Sequence, residues 1–181
     1  MIPVALDPAA VPSAVAGRGS AALRRFASLR AEGAHEVALF SDQPDGMETA
    51  GPALRRWLPT RADLMALRVL WIAGLPDQLA EELASLARSL RVLVNVEDRP
   101  ALCDFHSVAE VRRGDLLLTV STGGSSPRLA ARLRARLAND YGPDWAERLA
   151  LLRARRAAWR QEGGDVAALT DALLEANGWL A

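Results

Sequence analysis

The chain has 181 residues, half of them hydrophobic, which sets the scale at one domain with a sizeable core plus an appendage. Its 22 basic and 22 acidic residues cancel, which argues against a nucleic-acid partner or an anionic membrane surface. One cysteine and two histidines permit no internal disulfide and give no reason to expect a protein-built metal cage. Every basic residue is Arg; this reflects either carboxylate recognition by guanidinium forks or simply the base composition of the gene. No apolar run reaches the length of a membrane span, and residues 1–7 lack a basic stretch leading into an apolar one. No leader is therefore expected, and a reducing cytoplasm is the default location.

In chain order, residues 11–16 read as a first strand, interrupted by Pro12, and 17–19 as a tight turn. A helix is expected over 20–32, with Leu23, Phe26 and Leu29 on one side and Gly33 ending it. Residues 36–40 form a second strand, 41–52 a loop rich in Asp, Pro and Gly, and 53–58 a short strand. The run 68–73 is a buried strand; Pro76 opens a helix to about Ser89, and 91–96 is another buried strand. Residues 115–120 are the last strand. Helices follow over 127–137, 144–160 and 166–174, with Gly163-Gly164 as punctuation. Short apolar strands alternating with helices predict an α/β layer fold around a mainly parallel sheet.

Three sites for chemistry stand at strand ends. Gly17-Arg18-Gly19-Ser20-Ala21-Ala22 reads G-x-G-x-x-A between a strand and a helix. Its first Gly turns the chain, its second admits a pyrophosphate, and Ala22 lets helix approach strand. The same residues also suit an ordinary tight turn. Asp42 stands near the end of the second strand, either as a ribose ligand or as a turn residue. Asn95 and Asp98 follow a buried strand, where open α/β sheets bind ligands and where a turn before Pro100 is equally natural.

Ser121, Thr122, Gly123, Gly124, Ser125 and Ser126 precede Pro127. They suit an anion cradle, an N-capped helix start, or both. Arg112, Arg113 and Arg128 either clamp carboxylates or face solvent. Cys103 beside His106 reads as a core residue rather than a nucleophile. Leu129, Leu133 and Leu137 stripe one side of the Arg-rich helix and predict a homodimer, the alternative being burial on the chain's own sheet or tail.

Together these stretches resemble the N-terminal module of the siroheme synthases over nearly the whole chain. The most specific words are the run from Leu93 through Asn95, Asp98 and Pro100 to Phe105, then Arg112-Arg113-Gly114-Asp115-Leu116, then Ser121 through Ala130. The resemblance implies a Rossmann-like NAD-binding domain over 1–112, a dimerisation segment over 113–143 and a helical tail over 144–181. It implies NAD as cofactor and oxidation of the tetrapyrrole precorrin-2 to sirohydrochlorin, with Asp98 catalytic. Gly17, Arg18, Gly19, Ser20, Ala22, Asp42 and Asn95 would hold the cofactor. Arg112, Arg113, the Ser121–Ser126 stretch and Arg128 would hold the substrate, with no resident metal. Some relatives also insert ferrous iron in the same cleft, so a ferrochelatase alone, or a non-catalytic dimeric tetrapyrrole-binding protein, are the alternatives. The chain departs from the family at Arg18, where a third glycine is usual, and at Gly74-Leu75-Pro76, where relatives tend to be polar.

Overall fold

The computed structural model describes residues 2–179. The chain forms two compact units, Met1–Ser107 and Val108–Ala181. The first runs β1 (Ser13–Gly17), α1 (Gly19–Ala31), β2 (Ala38–Phe40), β3 (Leu54–Arg55), α2 (Arg61–Met65), β4 (Val69–Ala73), α3 (Asp77–Ser89) and β5 (Leu93–Val96). The five strands make one parallel sheet in the order β3-β2-β1-β4-β5. The order reverses between β1 and β4, which places a ligand crevice beyond their carboxyl ends.

The central strand β1 has indifferent strand formers, yet it is paired on both edges and its Ala14, Val15 and Ala16 are fully buried. Tertiary context overrides propensity there. One sheet face packs Ala14, Leu70, Ile72 and Val94 against Ala80, Leu83 and Ala84 of α3. The other packs Val15 and Leu39 against Ala22, Phe26 and Leu29 of α1. Each large side chain buried in this way contributes about 1.5–3 kcal/mol. Met47, wholly buried in the second cluster, pins the long loop after β2.

The second unit opens with an antiparallel hairpin, β6 (Ala109–Arg113) and β7 (Leu116–Val120), in which Val111 pairs with Leu118. It continues with α4 (Pro127–Asp140), α5 (Trp145–Glu162) and α6 (Val166–Ala176). Helix α4 packs on both strands of the hairpin, and α5 on β7 and α6. Among the described residues of this unit, only Val111 is a buried hydrophobic residue.

The α/β fold and its helical end agree with expectation, with corrections. The first strand begins after Pro12, whose carbonyl instead accepts from the Arg68 and Val69 amides. Residues 53–58 pair only at Leu54 and Arg55. The strand at 115–120 is not part of the parallel sheet; it pairs with β6, which was not expected. Helix α2 was also unforeseen. The compact units divide after Ser107, ahead of β6. Among the described residues, no helix is long and apolar enough to cross a membrane, and no three His, Cys, Asp or Glu residues cluster to hold a metal.

Candidate active site

Gly17 ends β1 against the carboxyl end of β4. A Cβ at this position would lie 1.9 Å from the Ala73 carbonyl oxygen and 2.9 Å from the Ala22 Cβ, so only glycine lets strand, strand and helix meet. The Arg18 amide then donates to the Ala73 carbonyl at 3.1 Å. Gly19 opens α1 at φ +61°, with open space on its Cβ side. Helix α1 has no side-chain cap and no acidic residue in its first turn. Helices α2, α4 and α6 are capped by Thr60, Ser126 and Asp165, while α3 and α5 lack a side-chain cap but carry Asp77 and Glu147 in their first turns. The first-turn amides of α1, around Ser20 and Ala22, are thus left for an acceptor from outside the chain, which fits a dinucleotide diphosphate.

Asp42 follows β2 directly across from the turn. Ala16 pairs with Phe40, and two residues further along each strand bring Arg18 beside Asp42. The guanidinium forks onto the carboxylate, Nε to Oδ1 at 2.8 Å and Nη2 to Oδ2 at 2.5 Å. The Arg18 hydrogen bond holds the Asp42 carboxyl below the ordinary carboxylate range, and the same bond raises Arg18.

Beyond β5 the chain makes a tight turn. The Glu97 amide donates to the Ile72 carbonyl at 2.9 Å and the Arg99 amide to the Val96 carbonyl at 3.2 Å. Asp98, held between them, sits at φ +60° in the left-handed region. An Asp tolerates that region better than most residues, but only because its surroundings impose it. Arg99 anchors the turn to α3. It donates to Glu81 at 2.5 Å and lies 2.5 Å from Asp77 as an ion pair without hydrogen-bond alignment. The Glu81 hydrogen bond raises the Arg99 pKa, against the opposing effect of burial. Exposed Asp98 lines a cleft of about 310 Å³ with Ala21, Arg24, Gly74, Leu75 and Arg99. The cleft therefore joins the start of α1 to the ends of β4 and β5.

Arg99 was not among the expected site residues, and Gly74 and Leu75 were expected beside the cofactor only as a departure from the family. Gly74 carried a usable signal: it directly follows a buried strand. At φ +69°, a Cβ there would fall 2.4 Å from the Arg18 carbonyl oxygen, so the β4 exit and the glycine turn require one another.

Asn95 is only 7% exposed; its Nδ2 donates to the Phe105 carbonyl at 2.8 Å and lies 3.6 Å from Cys103 Sγ, which ties the end of β5 to the returning loop. The same loop explains Cys103 and Asp104. The thiol bonds the Val96 and Arg99 carbonyls, and the Asp104 carboxylate accepts from the Val94 amide and from Arg88.

In the second unit, Ser126 Oγ caps α4 by accepting from the Leu129 amide at 3.2 Å, with Pro127 in the first turn. Thr122 Oγ1 accepts from the Ser126 amide, and Ser121 Oγ accepts from the Gly123 amide. Gly123 and Gly124, both at positive φ, lie exposed with Ser125 and Arg128. Arg112 pairs with Glu110 at 3.3 Å on its own strand. The Arg113 guanidinium donates to the Ala138 and Tyr141 carbonyls and so caps the end of α4.

A parallel sheet in this order, with an uncapped helix start behind a G-x-G turn, defines an α/β protein of the dinucleotide-fold class. The sequence profile described as "Putative NAD(P)-binding" matches residues 4–109, and the chain belongs to that family. A second profile, "Sirohaem biosynthesis protein central", matches residues 113–139. The siroheme synthase of Nitrosospira multiformis is 33% identical over 144 residues, covering 75% of this chain and 30% of the relative. That of Nitrosococcus oceani is 31% identical over 189 residues, covering 88% and 38%. The chain thus spans about a third of the length of these relatives. Among solved structures, "SirC, precorrin-2 dehydrogenase" superposes with a TM-score of 0.75 at 22% identity, covering 97% of this chain and 88% of that one, a likeness of fold.

Proposed function

We propose that the chain is a precorrin-2 dehydrogenase of siroheme biosynthesis, oxidising precorrin-2 to sirohydrochlorin with NAD, and that it works as a cytoplasmic homodimer. One observation carries the reading: Asp98, on an imposed left-handed turn, lines the same cleft as the start of α1 behind the glycine turn. Likeness to the siroheme synthases supports the substrate.

When bound, the nicotinamide supplies the hydride acceptor for a two-electron oxidation. The chain's own residues do the rest. The first-turn amides of α1 hold the diphosphate, and Gly17 and Gly19 let it approach. Asp98 meets the macrocycle and takes the proton lost with the hydride. Arg112, Arg128 and the exposed amides of the Gly123-Gly124 loop meet substrate carboxylates. Residues 113–143, with β7 and α4, form the dimerisation segment, and 144–181, with α5 and α6, the tail.

Asp98→Asn tests the assignment. Asn keeps the shape and also tolerates positive φ, so melting temperature and NAD affinity should stay near the parent's. Turnover should fall roughly a hundredfold to ten-thousandfold if a general base is lost. A variant that oxidises precorrin-2 at close to the parent rate would remove Asp98 from the mechanism.

A further inference from the structure

The ion pair at the end of β1 is a feature of this chain that the proposed chemistry leaves without a use. An acidic residue at the end of β2 selects an unphosphorylated ribose in two ways: it accepts from the 2′-hydroxyl, and its charge repels a 2′-phosphate. Asp42 occupies that position, but both of its oxygens are engaged by Arg18. The pair is neutral as a unit. Its acceptors face the guanidinium rather than a ribose, and the fork uses Nε and Nη2 while leaving Nη1 outside it. Arg18 stands at the variable position of the G-x-G turn, one residue before α1, so its backbone adjoins the first-turn amides of that helix. It remains 20% exposed, and Asp42 36%.

We propose that the Arg18–Asp42 pair, at the ends of β1 and β2 beside the α1 start, sets the dinucleotide selectivity: it cancels the carboxylate that would reject a 2′-phosphate and presents a guanidinium to it, so that NADP is accepted as well as NAD. This rests on the dinucleotide reading of the α1 start. With NAD, Arg18 stays on Asp42 and the ribose gains little from the carboxylate. With NADP, the guanidinium turns part of its fork to the added phosphate, for which its planar donors are suited.

Calorimetric titration of the full chain with NAD and with NADP, at one fixed ionic strength, tests this without reference to turnover. The parent should bind NADP within about tenfold of NAD, or tighter, because like-charge rejection is absent. Arg18→Gly frees Asp42 and should move the NAD-to-NADP preference toward NAD by about tenfold or more, the scale of an uncompensated like-charge contact. Asp42→Asn should move it the other way, and the double variant should lose most of the discrimination seen in Arg18→Gly. A parent that already prefers NAD by far more than tenfold, or an unchanged ratio in both single variants, would overturn the role of Arg18 while leaving dinucleotide binding intact. A parent that melts cooperatively yet binds neither nucleotide would overturn the dinucleotide reading itself, and this inference with it.

Discussion

Gly17 concentrates the packing constraints of the site in one Cα. Gly17→Ala would drive a methyl group to 1.9 Å from the Ala73 carbonyl oxygen, and the obstacle is backbone, so β1 and β4 must part. The expected cost is about 1–3 kcal/mol, the range for overpacking a filled core, read as a lower midpoint in urea denaturation. Charge at single residues gives a second test. Asp63 is held below its ordinary value, first by the Thr60 backbone amide, and Asp42 by Arg18. A carboxyl whose folded pKa lies below its unfolded value stabilises the fold above the unfolded value, and that contribution is lost as pH falls through the folded one. Stability should therefore decline as pH drops below about 3.8, the unfolded value, and Asp63→Asn should flatten that acid limb. Denaturation midpoints measured from neutral pH down to pH 3 read this directly. At the residue scale the sequence displayed Gly17, Gly19, Asp42 and Asp98, because their spacing from strand ends has a mechanism. It could not display the partners of Asn95 and Arg113, which depend on where the loop 103–105 and the end of α4 return in space.

Among the elements, the legible ones were those whose apolar period is long enough to count: α1, α3, β4 and β5. Helix α2 has five residues and no such period. Its existence rests on a capping box, Thr60 Oγ1 accepting from the Asp63 amide while Asp63 accepts from the Thr60 amide at 2.8 Å. Thr60→Ala should lower global stability by about 1 kcal/mol. Amide exchange would show α2 opening first, ahead of the parallel sheet. Strand β6 escaped notice because Ala109–Arg113 carries one buried residue, Val111, between charged neighbours. What makes it a strand is its pairing with β7 around Gly114 at φ +57°. Strand β1 shows the opposite case: poor formers become a fully buried central strand because β2 and β4 pair with both of its edges.

For the molecule as a whole, burial is uneven. The parallel-sheet unit holds nearly all of the buried hydrophobic residues, whereas among the described residues Val108–Ala181 contributes only Val111. Leu129 and Leu133, one turn apart on α4, are 49% and 41% exposed. An apolar stripe of that kind is covered in a stable protein, and a second copy of the chain is the proposed cover. Light scattering at micromolar concentration should return twice the chain mass. Leu129→Glu with Leu133→Glu should halve it, and a parent of single-chain mass would remove the dimer. Apart from α2 and β6, the order of the strands and helices was open to reading from composition and period. The quaternary arrangement was not, because an amphipathic helix does not name the surface it covers. Turnover tests the proposed dehydrogenase activity most directly. Under anaerobic conditions, precorrin-2 given to the pure chain with NAD should yield sirohydrochlorin absorbance in step with NADH, one for one. No sirohydrochlorin at any concentration of NAD or NADP, from protein that is folded and binds the nucleotide, would contradict it.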